Sequence, residues 1–195
     1  MQQGVELKGW DKYISLVAHD YVKAPQRTKE GEYAFAALAL HTDTNFKRIL
    51  SKVNVEFVDY DPYTSADQMM ESVKNTGTML VSKLYNQADA FGPETNLKLR
   101  AVHDYLAHLG AAPGKKPAKQ FTFAGEIKAF NKHLQLLGKN AHAVGALFTE
   151  IIGQTAHEIH FGHFPNQKVS LLPRFNWIKL GAVTGYRIVN GNLVK

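Results

Sequence analysis

The sequence predicts an α+β fold that is mostly α: a helical bundle with a small β element and a C-terminal β-hairpin. Three observations carry this expectation. Long Ala- and Leu-rich stretches repeat apolar residues at helical spacing. Only two short runs, "VNVEFVDY" and "GTMLVSKLY", have strand character. The chain closes on "YRIVNGNLVK", where Asn190-Gly191 between alternating apolar residues signals a type I′ hairpin. The expected organisation is one mainly helical domain over residues 1–173, carrying a buried His/acid site, then an irregular tail and hairpin over 174–195.

Each element has its own signal. "WDKYISLVAHDYVKA" sets Tyr13, Leu16, Val17, His19 and Asp20 at helical spacings, and "EGEYAFAALALHTDTNFKRILSKV" predicts one or two further helices. "VNVEFVDY" alternates Val53, Val55 and Phe57 with polar residues, as a strand does. "DPYTS" is a turn in which Pro62 fixes the backbone and Thr64 or Ser65 caps the helix "ADQMMESVKN". Three helices are expected at about 96–110, 123–138 and 140–160, with the breaker-rich loop "GAAPGKKPAK" between the first two. After Pro165 the pattern becomes irregular, and Phe161, Phe164, Phe175 and Trp177 are expected to pack beneath that tail. There is no internal repeat and no low-complexity segment.

Composition excludes several classes. The 195 residues are 45% hydrophobic and 21% charged, enough for one sizeable core. With no cysteine there are no disulfides and no thiolate zinc sites. No apolar run reaches the ~18 residues of a membrane span. "MQQGVELKGW" lacks the basic start and apolar stretch of a signal peptide, so a soluble chain retained in its compartment of synthesis is expected. The net charge of +6 permits nucleic-acid contact but supports it only weakly, because the basic residues are scattered. Their densest group, "GKKPAK" at 114–119, reads as a solvated loop. "GAAPG" is no phosphate loop, since no Gly-Lys-Ser/Thr follows, and no GxSxG elbow occurs.

The chemistry concentrates in the three later helices. An α-helix advances about 100° per residue, so positions seven apart differ by only about 20°. Glu126 and His133 are such a pair, and so are Glu150 and His157, with Gln154 between them on the same face. Asp104 and His108 are four apart, Arg100 lies one turn before Asp104 as its expected partner, and His103 borders that face. Apolar neighbours surround these groups, so the three faces are expected to converge on one inter-helix pocket.

Spacing alone leaves three readings of that pocket, in descending weight. The acids and histidines can form a satisfied polar network that fixes helix register. They can ligate a divalent metal such as zinc, manganese or iron. They can act as acid and base without a metal. None of the helices carries the Glu-x-x-His pairing of di-iron bundles or an HExxH motif. In "HEIHFGH", His160 and His163 fall at a Gly-Pro helix end, where exposed histidines are common.

Five segments, "VEFVDYDPYTSADQMMESV", "LRAVHDYLAH", "FAGEIKAFNKH", "FTEIIGQ" and "NQKVSLLP", occur in an order that resembles an uncharacterised family encoded by bacteriophages and prophages. That family occurs alone or within very large phage polyproteins, with motifs of the form RxVHDxxxH, GExxAxxxH, ExxGQ and QKxxLLP. The resemblance covers about residues 53–173. It matches Arg100, His103, Asp104 and His108; Gly125, Glu126, Ala129 and His133; Glu150, Gly153 and Gln154; and Gln167, Lys168, Leu171, Leu172 and Pro173. Leu106-Ala107 replace the family's Phe-Gly, Phe130 its Trp, and Ile151-Ile152 its Thr-Arg. His142, His157, His160 and His163 lie outside the pattern.

The resemblance implies a phage setting, host cytoplasm or virion, but no established reaction. Two functions of different class follow. One is a phage accessory enzyme, metal-assisted and hydrolase-like. Its expected metal ligands are His103, Asp104, His108 and His133, with Glu126, Glu150 and Arg100 as catalytic groups and Gln154 and His157 behind them. The other is a virion or assembly component in contact with other virion proteins. There the His/Glu cluster only locks the helices, and residues 164–195 form a docking arm.

Overall fold

The computed structural model describes residues 5–6, 9–84, 86, 91–109, 122–137, 140–183, 187–189 and 192–194. Seven α-helices are seen among them: α1 (Trp10–Lys23), α2 (Lys29–Leu50), α3 (Ala66–Thr76), α4 (Pro93–Ala107), α5 (Phe123–Leu137), α6 (Ala141–Leu147) and α7 (Gln154–Phe161). A π-helical turn, Phe148–Gly153, joins α6 to α7. The strands are short: β1 (Val5–Glu6), β2 (Asn54–Val58), β3 (Thr78–Ser82), β4 (Ala182–Val183), β5 (Arg187–Val189) and β6 (Asn192–Val194). The fold is thus α+β and mostly α. No helix among the described residues is long and apolar enough to cross a membrane.

Local chemistry sets the element ends. α1 buries Tyr13, Ile14, Val17, Ala18 and Tyr21 along one stripe and stops at Ala24, which is extended because Pro25 follows. The Thr28 side chain accepts from Gly31 N and opens α2, a single helix. Ser65 caps α3 by accepting from Gln68 N, as the "DPYTS" turn predicts, and Gly77 ends that helix at φ +69°.

The small β element is a β2–α3–β3 unit. Its strands pair in parallel, in register from Asn54 opposite Thr78 to Val58 opposite Ser82. A smaller apolar core of Ile49, Val53, Met69, Met79, Val81, Ala101 and Val102 joins this unit to α2 and α4. The main core gathers residues from α1, α2, α5, α6, the π turn and the later chain. Since α4 gives Leu99 to the main core and Ala101 and Val102 to the smaller one, it stands between the two.

The chain after α7 is irregular, as expected, but it is tightly packed. It lies across α1 and the start of α2: Tyr21 Oη donates to Asn166 O (2.9 Å), Thr28 N to Val169 O (2.9 Å) and Val169 N to Gln26 O (2.8 Å). The approach is so close that a Cβ on Gly31 would stand 2.0 Å from Val169 O. Nor is the segment beyond residue 173 a separate piece. Phe175 and Val183 belong to the main core, and β4 pairs antiparallel with β1. The boundary expected at 173 therefore does not fall between packed units. Phe175 is buried and Trp177 half-buried as expected, whereas Phe161 and Phe164 are exposed. β5 and β6 pair antiparallel as a hairpin would, though its Asn190-Gly191 turn and the loop "GAAPGKKPAK" lie outside the described residues.

Candidate metal centre

α4 and α5 build the centre of the site. Lys132, on α5, donates to the carbonyls of Leu106 (2.8 Å) and Ala107 (3.2 Å). A cation at the C-terminal end of α4 satisfies carbonyls that lack helical partners and complements the helix dipole. It also locks the end of α4 where His108 follows as the C-cap, 3% exposed.

The ligand atoms of His103, Asp104 and His108 lie within 4.8 Å of one another, so the group could hold a metal ion. His103 faces α5, where its Nε2 is 3.3 Å from Glu126 Oε2. With Nε2 committed to the carboxylate, Nδ1 is the ring nitrogen left for ligation; it is buried and has no hydrogen-bond partner among the described residues. A carboxylate holding the far nitrogen of a ligating histidine fixes its ring orientation and tautomer.

The electrostatics agree with that division of roles. Burial opposes charge on His103, but Glu126 and Asp104 outweigh it and raise its pKa. Burial would raise Glu126, yet His103 and His108 hold it below the usual carboxylate range. Asp104 is pushed up to about 6 by burial, against the pull of His103 and Arg100.

His133 does not join the three. Its ring stacks on His103, with centroids 5.6 Å apart and planes at 18°, and it does not line the cavity beside them. Burial and the neighbouring His103 push its pKa well below the ordinary histidine value, so it is a neutral ring packed behind the site. One helical turn before Asp104, Arg100 donates through Nη1 to Ser82 O (3.1 Å) and Leu84 O (2.6 Å). The end of β3 therefore anchors it, and its charge acts on Asp104 across space.

A cavity of about 380 Å³ opens on this group. Its walls include Arg100, His103, Asp104, His108, Glu126, Glu150 and Gln154, so two of the expected faces converge and the third joins them through Glu150 and Gln154. His157 departs from expectation. The seven-residue argument assumes a uniform α-helix, but the helix runs through a π turn just where Glu150 sits. The wider i→i+5 turn changes the face that follows it. His157 consequently packs against Tyr21 and Phe161, with Nδ1 3.1 Å from His163 O, away from the cavity. Within the π turn, a Cβ on Gly153 would come 2.8 Å from the Tyr21 ring, so glycine is what lets α1 pack this closely.

Sequence reasoning missed the opposite wall. Gln167 Nε2 donates to Glu150 Oε1 (2.6 Å) and to Asn96 Oδ1 (3.2 Å). Asn96 Nδ2 donates to Asn86 Oδ1 (2.7 Å), and Asn86 Nδ2 to Pro93 O (3.1 Å). Gln167 had a signal in the "NQKVSLLP" segment; Asn96 had none. Burial pushes Glu150 up to about 7, offset in part by the amides of Gln154 and Gln167 and by Arg100. The cavity thus pairs a cluster that could hold a metal with a carboxyl poised near neutrality. No protein family, curated protein or solved structure matches the chain, so the site is read from its own geometry.

Proposed function

We propose that this protein is a bacteriophage-encoded accessory enzyme that carries out metal-assisted hydrolysis in the cavity between α4, α5 and the π turn. The observation that carries the reading is that His103, Asp104 and His108 share one cavity with Glu150. The phage setting rests on the sequence resemblance alone.

Two imidazoles and one carboxylate suit zinc, manganese or iron(II), and three protein ligands leave a position open. A metal bound there would polarise a substrate oxygen or lower the pKa of a water. Glu126 orients His103 and, being held ionised by it, is poorly placed to cycle a proton. Glu150 suits that task, since a carboxyl titrating near 7 can both take and return a proton at neutral pH. It removes one proton from the attacking water and delivers it to the leaving group as the scissile bond breaks. Arg100, with its charge directed at this carboxyl and Asp104, favours an anionic transition state.

Chromogenic ester, phosphomonoester and phosphodiester reporters test the reading. Expected is a turnover that chelation abolishes, that one divalent metal restores, and that Glu150→Gln lowers at least ~100-fold. Turnover indifferent to chelation, or no turnover on any reporter with metal supplied, contradicts it. Mass spectrometry of intact virions tests the alternative role: abundance in the particle favours an assembly component, and absence favours the enzyme.

A further inference from the structure

The cavity changes character between its inner and outer lining. His108, Glu126 and Gln154 are buried, whereas Glu158, Phe164 and Asn166 are exposed and form its mouth. The packing of α7 dictates which of its residues reach that mouth. Ala156 belongs to the main core, and the rings of His157 and His160 meet Tyr21 and His19 of α1. At about 100° per residue, Gln154, Thr155 and Glu158 fall on the opposite face, the one that lines the cavity. Glu158 stands beyond Glu150 by about 10–12 Å of helix, on the solvent side.

Two groups at the mouth are left without partners. Glu158 joins no ion pair or side-chain hydrogen bond among the described residues. Phe164 is 56% exposed and meets no other ring among them. The charge of the lining also runs against that of the chain. The whole sequence carries +6, yet the lining has one arginine against the four acids Asp104, Glu126, Glu150 and Glu158. That arginine, Arg100, is held by backbone carbonyls at the end of β3. A metal on the inner cluster would offset the inner acids, which leaves Glu158 as the charge that an incoming molecule meets first. A carboxylate and an aromatic ring at one mouth suit an organic cation: the carboxylate pairs with its charge, and the ring face attracts it.

We propose that the mouth of the cavity selects molecules carrying an organic cation, an alkylammonium or a guanidinium, which pairs with Glu158 against the face of Phe164. The rest of the molecule reaches inward past Leu99 and Ile151, which supply apolar surface to the same cavity. As the substrate class of the proposed hydrolase, the inference rests on that reading. Binding of the cation at the mouth needs no metal, so the two can fail separately.

The test is calorimetric titration of the full chain, once with excess zinc and once in chelator. The probes are Nα-acetylargininamide, Nα-acetyllysinamide and Nα-acetylcitrullinamide, the last of which keeps the shape of arginine without its charge. Expected in both conditions is saturable binding of the arginine or the lysine derivative, which identifies the preferred cation. An exposed ion pair and a cation–π contact are each worth up to about fivefold in affinity. The citrulline derivative should therefore bind about tenfold more weakly than the arginine one, and the Glu158→Gln, Phe164→Leu double variant should lose about as much. Added salt should weaken the cationic probes and not the neutral one. No saturable binding of either cation at millimolar concentration overturns the proposal. So does citrulline binding equal to that of arginine, or cation binding that the double variant preserves. Binding seen only in chelator overturns it too, because the cation would then occupy the empty metal cluster. The citrulline and salt comparisons use the native chain and stand whether or not the variant folds.

Discussion

His103 and Glu126 meet across the α4–α5 interface, Nε2 to Oε2 at 3.3 Å, in a position where both are largely buried. The contact assigns a different task to each ring nitrogen. One is held by a carboxylate, and the other is buried with no hydrogen-bond partner among the described residues. A purely structural ion pair has no need of the second arrangement.

Removing the charge that holds His103 should therefore weaken metal binding without unfolding the protein. Glu126→Gln keeps the size and one acceptor, and the expected loss of zinc affinity is about 10–100-fold, as for other partners of ligating histidines. Competition titration against a chromophoric chelator reads it. Unchanged affinity would separate Glu126 from the site.

Glu150 makes stability depend on pH in a direction opposite to the usual carboxylate. Its pKa is raised from 4.5 unfolded to about 7 folded. Between those values the folded state holds more protons than the unfolded one, so stability falls as pH rises through that window. The loss it contributes is on the order of 3 kcal/mol, complete about one pH unit above 7. Glu150→Gln should remove this component. Urea unfolding of both proteins at pH 5 and pH 7.5 measures it, and equal pH dependence in the two would show that Glu150 titrates normally.

The segment carrying Gln167 depends on its approach to α2. A methyl group on Gly31 would meet Val169 O at 2.0 Å, a backbone atom that can yield only by moving the strand-like segment. Gly31→Ala should cost at least ~2 kcal/mol, in the range of overpacked sites. Gly77→Ala, where a Cβ meets nothing but φ is +69°, should cost only about 1 kcal/mol. Thermal unfolding of the pair separates contact from conformation. A Gly31 variant no worse than the Gly77 variant would mean that the approach is not tight.

Lys132 offers a test of how the end of α4 is held. Lys132→Met keeps the stem and removes the donor to Leu106 and Ala107 carbonyls. About 1–2 kcal/mol of stability should be lost, with weaker metal binding because His108 follows directly. Full metal affinity alongside lost stability would place His108 under other control.

Much of this was legible in the sequence, for identifiable reasons. Helices α4 and α5 announce their polar faces because a uniform helix makes spacing equal to direction, so Asp104, His108 and Glu126 converge as the wheel predicts. The same rule failed at His157, because the π turn around Glu150 breaks the uniformity and no residue type signals such a turn. His133 failed differently: it does share a face with Glu126, but stacking on His103 places it behind the cavity. Asn96 and Gln167 meet across 71 positions, and their pairing is set by the path of residues 164–173 over α1 and α2, which no local pattern encodes. The tail looked irregular because its order comes from bonds to Gln26 and Thr28 and not from its own periodicity.

His103, Asp104 and His108 are the proposed metal ligands. Zinc titration of the purified, chelator-stripped protein by calorimetry, repeated on the His103→Ala and His108→Ala variants, tests this assignment most directly. Expected is one equivalent bound by the native chain and affinity reduced by at least ~100-fold in each variant, with folding retained. No binding to the native chain, or binding that both variants preserve, would contradict it and leave the cluster as a structural network between α4 and α5.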